Sequence, residues 1–94
     1  MDDLTGFQRD LLFVINGEGS PNGLKTKKEV EKYYDQDIHH GRLYPNLDTL
    51  VDKGLVHKGE RDRRTNEYTV TDRGEREIEA RLDWQKELLN SNAD

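Results

Sequence analysis

The chain has no cysteine among its 94 residues, which excludes disulfides, thiolate zinc sites and a thiol nucleophile. Hydrophobic residues make up only 31% of it, and the longest uninterrupted apolar stretch is residues 11–15. A membrane-spanning helix needs about 18 or more consecutive apolar residues, so none is predicted. Residues 1–3 are acidic where a signal peptide is basic, and we therefore expect the chain to stay in the cytoplasm.

Charge is abundant and unevenly distributed along what this length predicts to be a single domain. Charged residues make up 37% of the sequence, and the net charge is −5. Residues 1–24 and 71–94 each carry −3, whereas residues 25–70 carry +1. This distribution leaves the centre of the chain as the segment able to approach an anionic partner. We interpret the abundance of aspartate either as adaptation to a salty cytoplasm or as an ordinary acidic surface.

The first two helices are predicted from capping signals and periodicity. Thr5 followed by Gln8 is a capping-box pattern, and Gly17 is the predicted stop of the first helix. A turn-rich connector follows, and the second helix is predicted from about residue 22 to 34. The apolar positions expected to bury this second helix are Leu24, Val30, Tyr33 and Tyr34.

The third helix is predicted to begin near Gly41 or Arg42 and to end before Gly54. This start places Pro45 in the first turn, where a proline removes no hydrogen bond of the helix. One buried stripe at helical spacing is formed by Leu43, Leu47, Leu50 and Val51.

The periodicity then changes to that of a hairpin. Residues 55–60 and 67–70 are short strand-like runs, and the polar residues 61–66 are predicted to form the tip between them. Thr71 is the predicted cap of a last helix that begins at Asp72, and residues 91–94 are expected to fray. Three helices, a hairpin and a helix predict a mainly α fold with a small β-hairpin wing. We therefore expect a winged helix-turn-helix over 1–70 and a C-terminal dimerisation helix over 71–94, in one compact unit.

Specific residues add a family resemblance to this pattern. Leu-Tyr-Pro-Asn-Leu at 43–47, then Leu50 and Lys-Gly-Leu-Val at 53–56, resemble the signature of PadR-type transcriptional regulators. The run at 64–74 is similar to the second wing strand of that family and the start of its C-terminal helix. Gly23 is followed by leucine where the family commonly has an aromatic residue. The resemblance covers roughly residues 7–80.

The resemblance implies a homodimeric DNA-binding repressor or activator. In the family the third helix enters the major groove, the wing touches the DNA backbone and the C-terminal helix dimerises. About one helix follows the wing here, where many members carry a longer helical domain. The sequence therefore identifies no effector ligand.

Candidate DNA-binding residues follow from where donors and acceptors fall on these elements. Groove recognition needs polar side chains at the N-terminal end of the third helix, and those present are His39, His40, Arg42, Tyr44 and Asn46. Arg42 suits guanine and Asn46 suits adenine; the alternatives are that Tyr44 packs internally and Asn46 faces solvent. The basic residues of the wing and the second helix are predicted to contact phosphates. They are Lys58, Arg61, Arg63 and Arg64 on the wing, and Lys25 and Lys28 on the second helix. The alternative is that these side chains are only solvated surface.

No catalytic or metal-binding pattern competes with this interpretation. His39, His40 and His57 lack ligand spacing, because adjacent helical residues diverge by about 100° and His57 falls in a strand. The sequence has no nucleophile elbow and no phosphate-cradling glycine loop. We predict neither enzyme activity nor a cofactor or metal.

The last helix is too long to be covered by its own domain. About 18 residues at about 1.5 Å each give about 27 Å, so its far half needs a partner. The predicted dimer interface consists of Ile78, Leu82, Trp84, Gln85, Leu88 and Leu89. The sequence thus predicts a sequence-specific regulator of double-stranded DNA, with repression favoured, which acts as a homodimer on a pseudo-palindromic operator. The alternative is a winged-helix protein-interaction module.

Overall fold

Six elements follow one another in the computed structural model, which describes residues 1–91. They are α1 (Gly6–Glu18), α2 (Gly23–Tyr34), α3 (His40–Asp52), β1 (Val56–Asp62), β2 (Thr65–Val70) and α4 (Asp72–Asn90). This order confirms the predicted mainly helical fold with a hairpin wing and a long C-terminal helix. Of the residues expected to fray, only Ser91 lies within the described part, as the C-cap of α4.

The start of α1 is the predicted capping box, and its end differs from the prediction. The Gln8 backbone N–H donates to Thr5 Oγ1 and the Thr5 N–H donates to Gln8 Oε1, both at 3.1 Å. The helix does not stop at Gly17 but continues to Glu18, and Gly19 adopts the positive φ of 85°. Gly19 therefore makes the turn that Gly17 was expected to make, because a residue without Cβ adopts this conformation at little cost.

Helix α2 packs through smaller residues than its sequence predicts. Asn22 caps it by accepting the Lys25 N–H at 2.8 Å, as its position before the helix favours. Val30 is buried, but Leu24 and Tyr33 are 53% and 82% exposed, so their predicted place in the core is wrong. The small Gly23 and Thr26 are buried instead and let the helix approach its neighbours closely.

One carboxylate ties the C-terminal half of α2 to the segment before α3. Glu31 Oε2 accepts the Ile38 backbone N–H at 2.8 Å and Lys27 Nζ at 3.0 Å. These two donors lower the pKa of Glu31 below its ordinary value, the backbone N–H being the larger cause. The side chains of Lys27 and Glu31 are both only about one-fifth exposed. The hydrogen bond from Ile38 to Glu31 holds the connection between α2 and α3.

Helix α3 begins at His40, one residue earlier than the earliest predicted start. Pro45 is therefore in the second turn, and its missing N–H leaves the Gly41 carbonyl without a helical donor. Gly41 is exposed, so solvent can satisfy this carbonyl. Leu43, Leu47 and Leu50 are fully buried, which confirms most of the predicted stripe.

The wing is a longer hairpin with a shorter tip than predicted. Strands β1 and β2 pair antiparallel with Val56 opposite Val70, and the register shifts between Glu60 and Asp62. Only residues 63–64 separate the strands, so Arg61 belongs to a strand and not to the tip. The connector before α2 extends the sheet, since the Tyr68 N–H donates to the Pro21 carbonyl at 2.9 Å.

Helix α4 begins inside the domain and leaves it. The Thr71 cap is confirmed, with its hydroxyl accepting the Gly74 N–H at 3.0 Å. Ile78 is 4% exposed and belongs to the core of its own chain. Beyond Arg81 every described residue of the helix is exposed. Among residues 1–91, no helix has both the length and the apolar composition needed to cross a membrane.

Candidate nucleic-acid interface

The outward face of α3 is the part of the helix that a groove can receive. The buried side chains of α3 all lie on the opposite face. The positions that α3 leaves exposed are His40, Gly41, Arg42, Pro45, Asp48 and Asp52. Gly41 and Pro45 offer no side-chain donor or acceptor, so this face has few groups with which to recognise a base.

Arg42 is exposed but is held by the body of the domain. Its guanidinium lies 4.0 Å from the centroid of the Phe7 ring, at the start of α1. A cation–π contact of this kind is worth about 0.5–1 kcal/mol at an exposed site. In this structure Arg42 therefore packs beside α1, and a contact with guanine would require it to leave the ring.

The side-chain amide of Asn46 is engaged at both ends. Its Oδ1 accepts from Gln8 Nε2 at 2.9 Å, and its Nδ2 donates to the Arg42 carbonyl at 2.6 Å. Asn46 is half-buried, so the alternative that it merely faces solvent does not describe it. The predicted adenine contact would require the amide to give up these partners, one of which is the buried Gln8.

Tyr44 joins α3 to the start of α2. Its ring lies against Gly23, and a Cβ at residue 23 would fall 2.7 Å from the Tyr44 hydroxyl. The exposed His40 ring meets Tyr44 edge-on, with centroids 5.7 Å apart, while His39 is the exposed N-cap. Tyr44 is half-buried, so the packing alternative describes part of its role.

We expect Gly23→Ala to displace the Tyr44 ring while the fold is retained. The added methyl group overlaps the far end of a side chain that can turn toward solvent, so stability should change by no more than about 1 kcal/mol. Urea unfolding and the NMR signals of the Tyr44 ring measure the two effects. A loss of about 3 kcal/mol, or an unmoved Tyr44 ring, would contradict the assignment of Gly23 as the seat of Tyr44.

The basic residues of the wing differ in whether an acid already pairs with them. Arg61 is paired with Glu67, and Lys58 Nζ lies 3.8 Å from Asp48 Oδ1. Arg63 and Arg64, the two tip residues, are exposed and make no ion pair within residues 1–91. The Arg64 backbone N–H donates to Asp62 Oδ1 at 2.9 Å, which lowers the pKa of Asp62 and shapes the turn.

Helix α2 presents two predicted phosphate contacts of unequal availability. Lys25 Nζ is 3.1 Å from Glu29 Oε1, and the pKa of Lys25 is raised mainly by this hydrogen bond. Lys28 is exposed and has no ion-pair partner in the described chain. A cleft of about 140 Å³ between α2, α3 and β2 is lined in part by Leu24, Tyr44 and Arg64.

The predicted dimer residues separate into one core residue and an exposed group. Because Ile78 is buried in its own domain, it is removed from the predicted interface. Leu82, Trp84, Leu88 and Leu89 are 39%, 50%, 53% and 81% exposed, and Gln85 is exposed between them. Arg81 lies 4.8 Å from the centroid of the Trp84 ring.

Within residues 1–91 no three histidine or acidic side chains are grouped to hold a metal ion.

The order of elements and the exposed α3 tip beside a basic turn define a winged-helix protein. The chain belongs to the transcriptional regulator PadR-like family, whose model matches residues 11–80. This confirms the resemblance, and it places the chain among transcriptional regulators, which are not enzymes.

Solved structures agree with this assignment. In the complex structure of hsRosR-S1, the protein is 48% identical over 99% of this chain and 82% of that one, with a TM-score of 0.93. RosR of H. salinarum, a halophilic archaeon, is 50% identical in a structure grown from NaBr, over 98% and 81% of the two chains, with a TM-score of 0.87. F93 from STIV, a winged-helix DNA-binding protein, shares the fold at 23% identity, over 92% and 95%, with a TM-score of 0.72. No curated protein matches the chain.

Proposed function

We propose that this regulator binds double-stranded DNA sequence-specifically in the cytoplasm, as a homodimer on a pseudo-palindromic operator, and represses transcription there. The observation that carries the proposal is the exposed N-terminal end of α3 beside the wing turn. The two arginines of this turn, Arg63 and Arg64, have no ion-pair partner within residues 1–91. A helix tip suits the major groove, and arginines at a wing suit phosphates or the minor groove. The far half of α4 supports the dimer, since its apolar side chains are exposed.

The ion pairs made by the other basic residues support an interface whose DNA affinity depends little on net positive charge. Lys25, Lys58 and Arg61 each have an acidic partner within the chain. A cation that is already neutralised gains less from a phosphate and releases fewer counterions. We therefore expect affinity to fall more gently with salt than for a basic repressor. Kinship with a protein from a halophilic archaeon supports salt adaptation as the reason for the acidic surface.

Arg63→Ala/Arg64→Ala should weaken binding to every duplex without changing the preferred sequence. Each protomer loses two exposed phosphate contacts and the dimer loses four, so affinity at moderate salt should fall about tenfold or more. The slope of log K against log salt should become shallower by about 3.6 for the bound dimer, since each of the four phosphate contacts contributes about 0.9. Mobility shifts over a series of salt concentrations, with duplexes selected from a random pool, measure both.

The matched control removes two other exposed arginines. Arg73→Ala/Arg76→Ala changes the net charge equally, at the start of α4 and away from the wing turn. It should leave the salt slope of the intact protein unchanged. If both double variants lost the same DNA affinity, the effect would come from net charge in general and not from contacts of the wing. If the unaltered protein shifts no duplex at any salt concentration, the protein-interaction module becomes the better function.

A further inference from the structure

Asp48 lies on α3 beyond the N-terminal end where base contacts were predicted. It lies on the exposed face of the helix, one turn beyond Pro45, and its side chain is 59% exposed. The nearer candidates on this helix are engaged elsewhere, Arg42 with Phe7 and Asn46 with Gln8. Gly41 and Pro45 on this face have no hydrogen-bonding side chain. Asp48 and Asp52 are its exposed carboxylates, and within residues 1–91 Asp48 is the one of the two with an ion-pair partner on the wing.

A lysine of the wing orients the carboxylate of Asp48. Lys58 Nζ is 3.8 Å from Asp48 Oδ1, and the side chain of Lys58 is 39% exposed. Lys58 stands on β1 opposite the buried Tyr68, so its backbone position is fixed by the sheet. The ion pair therefore bridges the two elements that a winged helix presents to DNA. One oxygen of the carboxylate faces the lysine, which leaves acceptor capacity on the other.

An ionised carboxylate in a major groove can select among bases because it has no hydrogen to donate. It accepts hydrogen bonds and donates none. Cytosine presents an N4 amine donor in the major groove, whereas guanine and thymine present acceptors that repel a carboxylate. Adenine has a donor at N6, but its N7 acceptor is adjacent to it. Cytosine is consequently the base that best matches Asp48.

We propose that Asp48 is a specificity-determining residue that accepts a hydrogen bond from the N4 amine of a cytosine in each half-site, with Lys58 as its positioning residue. The inference deepens the proposed function and rests on it. The effect of Asp48 on overall DNA affinity is opposite to that of an arginine, because a carboxylate near phosphates opposes binding to any duplex. Asp48 is expected to reduce affinity for unrelated duplexes while it raises discrimination at one base pair.

The test is base selection from a random duplex pool by the full chain and by Asp48→Ala. The unaltered protein should recover an inverted repeat with cytosine at one fixed position of each half-site. Asp48→Ala should lose about tenfold of preference at that position alone, the lower part of the range for one specific base contact. Its affinity for unrelated duplexes should rise, since a negative charge is removed. Circular dichroism checks that the variant is folded.

Asp52→Ala is the matched control, because Asp52 is an exposed aspartate one turn further along α3 with no ion pair to the wing within residues 1–91. It removes the same charge and should leave the cytosine preference intact. Lys58→Met should weaken that preference, and Lys58→Arg should restore it. If the unaltered protein selects an inverted repeat but Asp48→Ala keeps the same cytosine preference, or no cytosine is selected, this proposal is wrong and the proposed function still stands. An unaltered protein that selects no sequence overturns both.

Discussion

Gly74→Ala should be the most destabilising small substitution in this chain. A Cβ at this position would overlap the Leu55 carbonyl oxygen and lie 2.7 Å from Val70 Cγ1. Neither neighbour can yield easily, because the same carbonyl accepts the Thr71 N–H at 3.0 Å and the Thr71 hydroxyl donates to Gly54 at 2.7 Å. Relief requires α4 to move off the base of the wing. We expect a loss of about 3 kcal/mol or more, above the usual cost of overpacking.

Thermal and urea unfolding measure this loss. For a domain of this size, 3 kcal/mol lowers Tm by roughly 12 °C or more. Gly17→Ala is the matched control, because Gly17 is helical and a Cβ there meets nothing within 4 Å. It should stabilise the protein by about 0.5–1 kcal/mol, since alanine is the better helix former. If the two alanines had equal effects, close packing at Gly74 would not be what holds α4 against the hairpin.

Local signals in the sequence predicted where most elements begin. The caps at Thr5 and Thr71 depend on groups within one helical turn, so nearby residues suffice to identify them. The end of α1 depends instead on distant contacts. The Ser20 hydroxyl is hydrogen-bonded to the Thr69 hydroxyl at 2.9 Å, 49 residues away in the sequence. This contact to β2 accompanies a turn at Gly19 and not at Gly17, and no local pattern contains it.

The hairpin tip was misplaced because polarity does not mark a turn in a wing. Residues 61–66 are all polar, which elsewhere would indicate a loop. In an exposed two-stranded hairpin, polar side chains can pair across the strands, as Arg61 does with Glu67. The strands consequently run on until only Arg63 and Arg64 remain between them. Arg61 is thus a paired strand residue, whereas Arg63 and Arg64 have no ion-pair partner within residues 1–91.

The candidate interface was predictable in its elements but not in which side chains are available. Helix periodicity located the exposed end of α3, yet the contacts of Arg42 with Phe7 and of Asn46 with Gln8 join segments more than 30 residues apart. One signal for the second contact was present. Gln8 lies on the packing face of α1, and a buried amide needs a hydrogen-bond partner from another element. Asp48 lies more than two turns into α3, beyond the N-terminal end where polar side chains were predicted to contact bases.

The exposed apolar side chains on the outer half of α4 lead to a second prediction, which concerns dimerisation. Its outer half carries apolar side chains on a broad arc, of which Leu82 and Leu89 lie seven residues apart and so share one face. The opposite face is formed by Arg76, Glu79, Asp83, Glu87 and Asn90, all of them polar. An amphipathic helix that leaves its domain gains stability by burying the apolar arc, and in a symmetric dimer the same arc of a second copy covers it.

Leu82→Asp/Leu89→Asp should therefore convert a dimer to a monomer that is still folded, because both side chains lie outside the core of their own domain. Two linked half-site contacts exceed one by about a hundredfold or more in affinity, so binding to an inverted repeat should fall by that factor. Binding to a single half-site should hardly change. Arg76→Asp adds the same negative charge on the polar face and should remain dimeric. Sedimentation equilibrium and mobility shifts distinguish the two variants. A double variant that still sediments at twice the mass of one chain would refute the assignment of the outer half of α4 as the dimer interface.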